Sequence, residues 1–181
     1  RYFMKKMFFT MAMALLSVGA FAQTYKNEAK INILNVIVRP SIELGYEYYL
    51  DENQSVDAEL MFLDRFSYWH IWSGSKEYKF STTSFKVGYN YYFNSVNGEG
   101  AYINPFLKAR FGTFTENKNG VDEKTKMDAF IIGVGAGYAW VFNDKFVVAP
   151  YVNIGRNFSG PVNSRFIAIE PNAGVRLGFR F

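Results

Sequence analysis

The C-terminal stretch 167–181 constrains the fold most. Its odd positions are Ile167, Ile169, Pro171, Ala173, Val175, Leu177, Phe179 and Phe181, and its even positions are Ala168, Glu170, Asn172, Gly174, Arg176, Gly178 and Arg180. A helix would scatter both sets around its circumference, whereas a strand sends one set to each face. One face is then apolar and bulky, the other small or charged. Any sheet that contains such a strand has to separate two unlike surroundings.

The same division recurs along the chain. Residues 41–50 set Ile42, Leu44, Tyr46 and Tyr48 against Glu43, Gly45 and Glu47, and residues 84–93 set Phe85, Val87, Tyr89 and Tyr91 against Lys86, Gly88 and Asn90. Residues 101–114 and 130–142 repeat it, the latter with Gly133, Gly135 and Gly137 on the small face. Weaker alternation at 55–63 and 146–157, and a run at 30–39 that is apolar on both faces, bring the expected strands to eight. The connections 51–54, 94–100 and 143–145 are short, while 64–79, 116–126 and 158–165 on the other side are longer, and only the first connection of that side, around Arg39-Pro40, is tight. An even strand count with short turns at one end and longer loops at the other predicts an all-β, eight-stranded antiparallel up-and-down transmembrane β-barrel.

The N-terminal residues read as an export signal. Met4, Lys5 and Lys6 precede an apolar run over 7–16 and small residues up to Ala20-Phe21-Ala22, an A-x-A cleavage pattern. This divides the chain into a signal peptide at 1–22, of which 1–3 precede the expected start at Met4, and one barrel domain at 23–181. The apolar run is shorter than the ~20 residues a spanning helix needs. Without the signal the chain carries 17 basic and 16 acidic residues, so its charge gives no reason to expect nucleic acid. The absence of cysteine removes lipid attachment, disulfides and thiolate metal sites.

Alternation alone fits a soluble barrel too, so the facing of the two sets matters. Eight strands enclose a narrow interior, which suits the small and charged set better than the bulky one. The expected inward residues are Glu43, Glu47, Asp57, Glu59 and Glu170 together with Lys86, Lys108, Arg110, Arg176 and Arg180. Five acids then meet five bases, as burial of charge requires. Aromatics near the short turns, among them Tyr46, Tyr91, Tyr138, Trp140 and Phe179, read as a membrane-interface girdle.

The terminal run Gly174-Val175-Arg176-Leu177-Gly178-Phe179-Arg180-Phe181 resembles the C-terminal strand signature of bacterial outer-membrane proteins. The eight-strand plan resembles the small barrels of the OmpX and OmpA-transmembrane type. Lys30-Ile31-Asn32 followed by Glu43 and Tyr46 is similar to an uncharacterised family of small Bacteroidota barrels. The resemblance implies a location in the cell outer membrane of a Gram-negative bacterium. It also implies that the barrel-assembly machinery reads Phe179 and Phe181, and that the partners are outer-membrane lipids and lipopolysaccharide.

Little in the chain points to catalysis. The one histidine, His70, stands between Trp69 and Trp72 in a long connection, and this trio reads as a surface-loop contact. Gly133-x-Gly135-x-Gly137 lacks dinucleotide spacing and reads as space in the lumen for long neighbours such as Arg110 or Tyr151. The expected protein is a monomer that is not an enzyme and takes no cofactor or metal, with a structural, adhesive or surface-interaction role and a lumen plugged by ion pairs. A narrow channel for small solutes or ions, and a soluble periplasmic lipocalin-like binding barrel with its faces reversed, are the alternatives.

Overall fold

A computed structural model describes residues 25–38, 41–63, 78–93, 95, 98–118, 121–164 and 167–181. The expected signal peptide and the Trp69, His70 and Trp72 cluster lie outside the described residues. In chain order the elements are β1 (Asn27–Asn32), α1 (Ile33–Val38), β2 (Ile42–Tyr49), β3 (Gln54–Phe62), β4 (Tyr78–Tyr92) and β5 (Gly100–Lys118). They continue as β6 (Val121–Lys126), β7 (Ala129–Phe142), β8 (Phe146–Asn157), α2 (Gly160–Asn163) and β9 (Ile169–Arg180).

Each strand pairs antiparallel with its neighbours, and β9 returns to β1 with Phe179 opposite Ala29 and Leu177 opposite Ile31. The ring β1-β2-β3-β4-β5-β7-β8-β9 is therefore a closed eight-stranded barrel. Closure gives every strand of the ring a paired neighbour on both sides, so most backbone groups of the strands are satisfied without water. At the short-turn end, the β7–β8 connection is tight because Asn143 and Asp144, residue types that tolerate left-handed backbone, take φ of 52° and 57°.

The two faces differ residue by residue. On β5, Arg110 is 0% exposed and Phe111 is 60% exposed. On β4, Lys86 is buried between Phe85 and Val87, which both face out. Polar and charged side chains therefore fill the interior, and Phe, Ile, Leu, Val, Tyr and Trp cover the outside, the reverse of a soluble barrel.

Three local features differ from the expectations. The run at 30–39 is not one strand: β1 ends at Asn32 and α1 follows. Ile33, Val36 and Val38 favour strands, but Asn32 Oδ1 accepts from the Asn35 amide, 3.2 Å away, as a helix N-cap does. The Asn35 side chain then reaches inward to Glu43. As a result β9 pairs with β1 only over Arg176–Arg180, and its residues 169–175 face α1 on that side. Pro171, which has no amide hydrogen to offer, sits on this edge, where a proline is tolerated.

The second difference is the connection at 116–126. It is not a loop but an extension of β5 and β6 beyond the barrel, with Thr113 opposite Lys126 and Lys118 opposite Val121. Nearly every residue of β6 is exposed, so no alternation marks it in the sequence. The register continues into β7, where Arg110 stands opposite Ala129. At the interruption between β6 and β7, Asp128 Oδ1 accepts the Gly112 amide at 3.2 Å.

The third concerns the glycine stripe on β7. A Cβ on Gly133 would meet the Phe106 ring, one on Gly135 the Asn153 side chain, and one on Gly137 the Tyr102 ring at 2.6 Å. These three residues come nearest to filling the space, and Arg110 is not among them, while Tyr151 stands opposite Gly137 in the register. Arg110 lies further along the barrel, and the Tyr151 ring rests on Gly174.

Candidate functional site

The alternation of β1 to β9 sends one side chain in two into the barrel, and the strand register stacks these side chains in layers. At the short-turn end, Arg180 Nε donates to Glu28 Oε2 at 3.0 Å. Its Nη2 donates to the Tyr49 hydroxyl at 2.6 Å, and that hydroxyl donates in turn to Glu28. A cluster of Tyr49, Tyr92, Tyr102 and Tyr151 with Val147 and Ala149 packs around this layer.

In the next layer Lys30 Nζ pairs with Glu47. Glu47 also accepts from Ser55, from Asn90 Nδ2 at 3.0 Å and from the Tyr92 hydroxyl at 2.7 Å. Asp57 accepts from Asn104 at 3.1 Å and lies 3.9 Å from Lys30 and 3.8 Å from Lys86. Lys86 and Arg176 both approach Glu59 at 2.9 Å. Both contacts set opposite charges at ion-pair distance, so Glu59 sits between two cations. The Arg176 guanidinium also lies 4.0 Å from the centre of the Tyr151 ring.

Toward the other end, Glu43 accepts from Asn32, Asn35 and the Tyr151 hydroxyl. Glu170 meets Arg110 through two parallel hydrogen bonds, accepts from Asn157 at 2.8 Å and lies 3.8 Å from Lys108. Among the described residues, small cavities remain between these side chains. One of about 10 Å³ is lined by Lys30, Glu43, Glu59 and Arg176, and one of about 20 Å³ by Lys86, Lys108, Glu170 and Asn172. A single water needs ~10–15 Å³, so each has room for one.

All ten residues expected inside are buried, none more than 6% exposed. Sequence reasoning missed Glu28 and Lys30, which raise the buried charges among the described residues to six acids and six bases. A signal was present: Glu28, Lys30 and Asn32 alternate with Asn27, Ala29 and Ile31, but a window opened at Lys30 cuts the pattern in half. The asparagines and tyrosines that carry most hydrogen bonds to the acids were also not singled out. Phe179 and Phe181 stand at the β9–β1 seam. Phe179 packs edge-on against Phe146 at 5.4 Å, and the Phe181 amide donates to Asn27 at 2.9 Å.

The fold is that of small outer-membrane β-barrels. The N-terminal β-barrel domain of Pseudomonas aeruginosa OprF is similar with a TM-score of 0.51 at 14% identity, over 86% of this chain and 95% of that one. Ail, the attachment invasion locus protein of Yersinia pestis, is similar with a TM-score of 0.49 at 13% identity, over 86% and 93% of the two chains. Neisserial surface protein A reaches 0.42 at 9% identity, over 85% and 91%. No curated protein sequence matches. The sequence model of the family described as a protein of unknown function (DUF3575) matches residues 7–171, and the chain belongs to that family.

Proposed function

We propose that this protein is an integral outer-membrane barrel with a structural, adhesive or surface-interaction role, and that its lumen is plugged by side-chain ion pairs and conducts nothing. The observation that carries this reading is an apolar exterior wrapped around an interior with six acids and six bases. Such an exterior is stable against acyl chains and unstable in water. The ion pairs occupy successive layers, and the two cavities described between them are of single-water size. Opening a path would leave buried charges unpaired, at a cost of several kcal/mol each.

The start of β1, the end of β9 and the short turns share one end of the barrel, and because short turns of outer-membrane barrels are periplasmic we take that end as the periplasmic one. The β5–β6 hairpin then rises on the outer side, with Asp122, Glu123, Lys124 and Lys126 exposed to a surface partner. In the test, full-length protein is reconstituted into vesicles and planar bilayers. It should float with the vesicles, require detergent for extraction and give no steady conductance steps. Ion-selective steps from the wild type would replace the plugged barrel with the channel, and release into buffer after osmotic shock would replace both with a soluble barrel.

A further inference from the structure

Among the described side chains at outward-facing positions of the eight barrel strands, Arg156 is the one that carries a charge. It is exposed on β8, with Ile154 and Phe158 on the same face of its own chain, Ile132 opposite it on β7 and Ile169 opposite it on β9. No carboxylate among the described residues pairs with it. Its guanidinium carbon lies 5.5 Å from the centre of the Phe158 ring. One outward position further on, Phe158 donates its amide to Phe130 at 2.9 Å, and the strand ends there. Arg156 therefore stands just inside the apolar belt, at the end away from the short turns.

A cation inside an apolar belt is stable only where it reaches water or an anion. At the last turn of the belt an arginine can snorkel to the headgroup level while its stem stays among the isoleucines. Its planar fork matches two oxygens of a phosphate. The flanking Ile132, Ile154 and Ile169 offer a surface for acyl chains, and Phe158 holds the guanidinium near the belt's rim. An amphiphile with phosphate at its head and several acyl chains complements both parts of this surface.

We propose that Arg156, steadied by Phe158, is a headgroup site for the phosphorylated glycolipid of the outer leaflet. This rests on the reading of the chain as an outer-membrane barrel with its short turns in the periplasm. The test reconstitutes full-length wild type, Arg156→Gln and Arg156→Lys into phosphatidylcholine vesicles doped with either lipid A or phosphatidylglycerol. Flotation reports membrane insertion, a heat-dependent band shift reports folding, and native mass spectrometry reports retained lipid.

All three proteins should float and fold. The wild type should retain one lipid A per barrel, Arg156→Gln should lose this by about tenfold, as expected for a charge-assisted contact, and Arg156→Lys should fall between them. Equal retention of lipid A by the wild type and Arg156→Gln would overturn the site, as would retention of phosphatidylglycerol as strong as that of lipid A. Failure of the wild type to float would overturn the membrane reading and this inference together, whereas flotation without selective retention overturns the inference alone.

Discussion

Arg110 and Glu170 close on each other through two hydrogen bonds of 2.8 and 2.6 Å inside the barrel, although 60 positions separate them in the chain. The side chain of Arg110 is fully buried, so solvent cannot replace the carboxylate. Arg110→Met should cost about 3–5 kcal/mol, because it leaves Glu170 buried with weaker partners. The double variant Arg110→Met with Glu170→Gln should recover a large part of that loss. Urea unfolding of the refolded barrels in detergent measures both, and a double variant as unstable as the single one would contradict the pairing.

Gly137 and Gly174 predict unequal costs for the same substitution. A Cβ at Gly137 would come within 2.6 Å of the Pro150 carbonyl, which is backbone and cannot step aside. At Gly174 the three nearest atoms it would meet belong to the side chains of Asn32 and Tyr151. Gly137→Ala should therefore lose about 1–3 kcal/mol, and Gly174→Ala less. The temperature at which the folded band converts to the unfolded one on a gel ranks the two.

Leu177 and Arg176 differ by one position and face opposite surroundings, with 38% and 5% of their surface exposed. Leu177→Arg places a charge among acyl chains and should cost up to about 2–4 kcal/mol, less if residue 177 lies toward the interface. Arg176→Met should also destabilise, by stripping Glu59 of a partner at 2.9 Å. A harmless Leu177→Arg with a stabilising Arg176→Met would mean that the faces are reversed.

Asp128 predicts an acid response in the β5–β6 hairpin. The Lys126 side chain, and then the Gly112 amide, hold its carboxyl below the ordinary value of 3.8. A lowered folded value means that the contribution is present above the ordinary value and is lost as pH falls through the lowered one. Hydrogen exchange at Gly112 should therefore accelerate on acidification below about pH 4, beyond the intrinsic pH effect. Asp128→Asn keeps an acceptor without the titration and should remove that excess, while Asp128→Ala should exchange fast throughout.

The parity of most barrel strands, though not of β1 or β6, was legible in the sequence because side-chain alternation is a property of the extended backbone alone. Residues 169–180 announce two faces whatever surrounds them, and the choice of bulky residues for one and glycine or charge for the other assigns outside and inside. Local pattern failed where a distant residue decided the outcome. Asn32 and Asn35 turn a β-branched run into a helix by reaching Glu43 across the fold, and β6 is a strand because β5 supplies a ladder, not because any face of it is buried. Partner choice was equally hidden: five acids and five bases could be counted inside, but strand order and register set which of them meet. Arg110 finds Glu170 rather than another acid because β5 and β9, three strands apart along the shorter way round the ring, bring these side chains to one height in a narrow interior, and that height exists only once the barrel has closed.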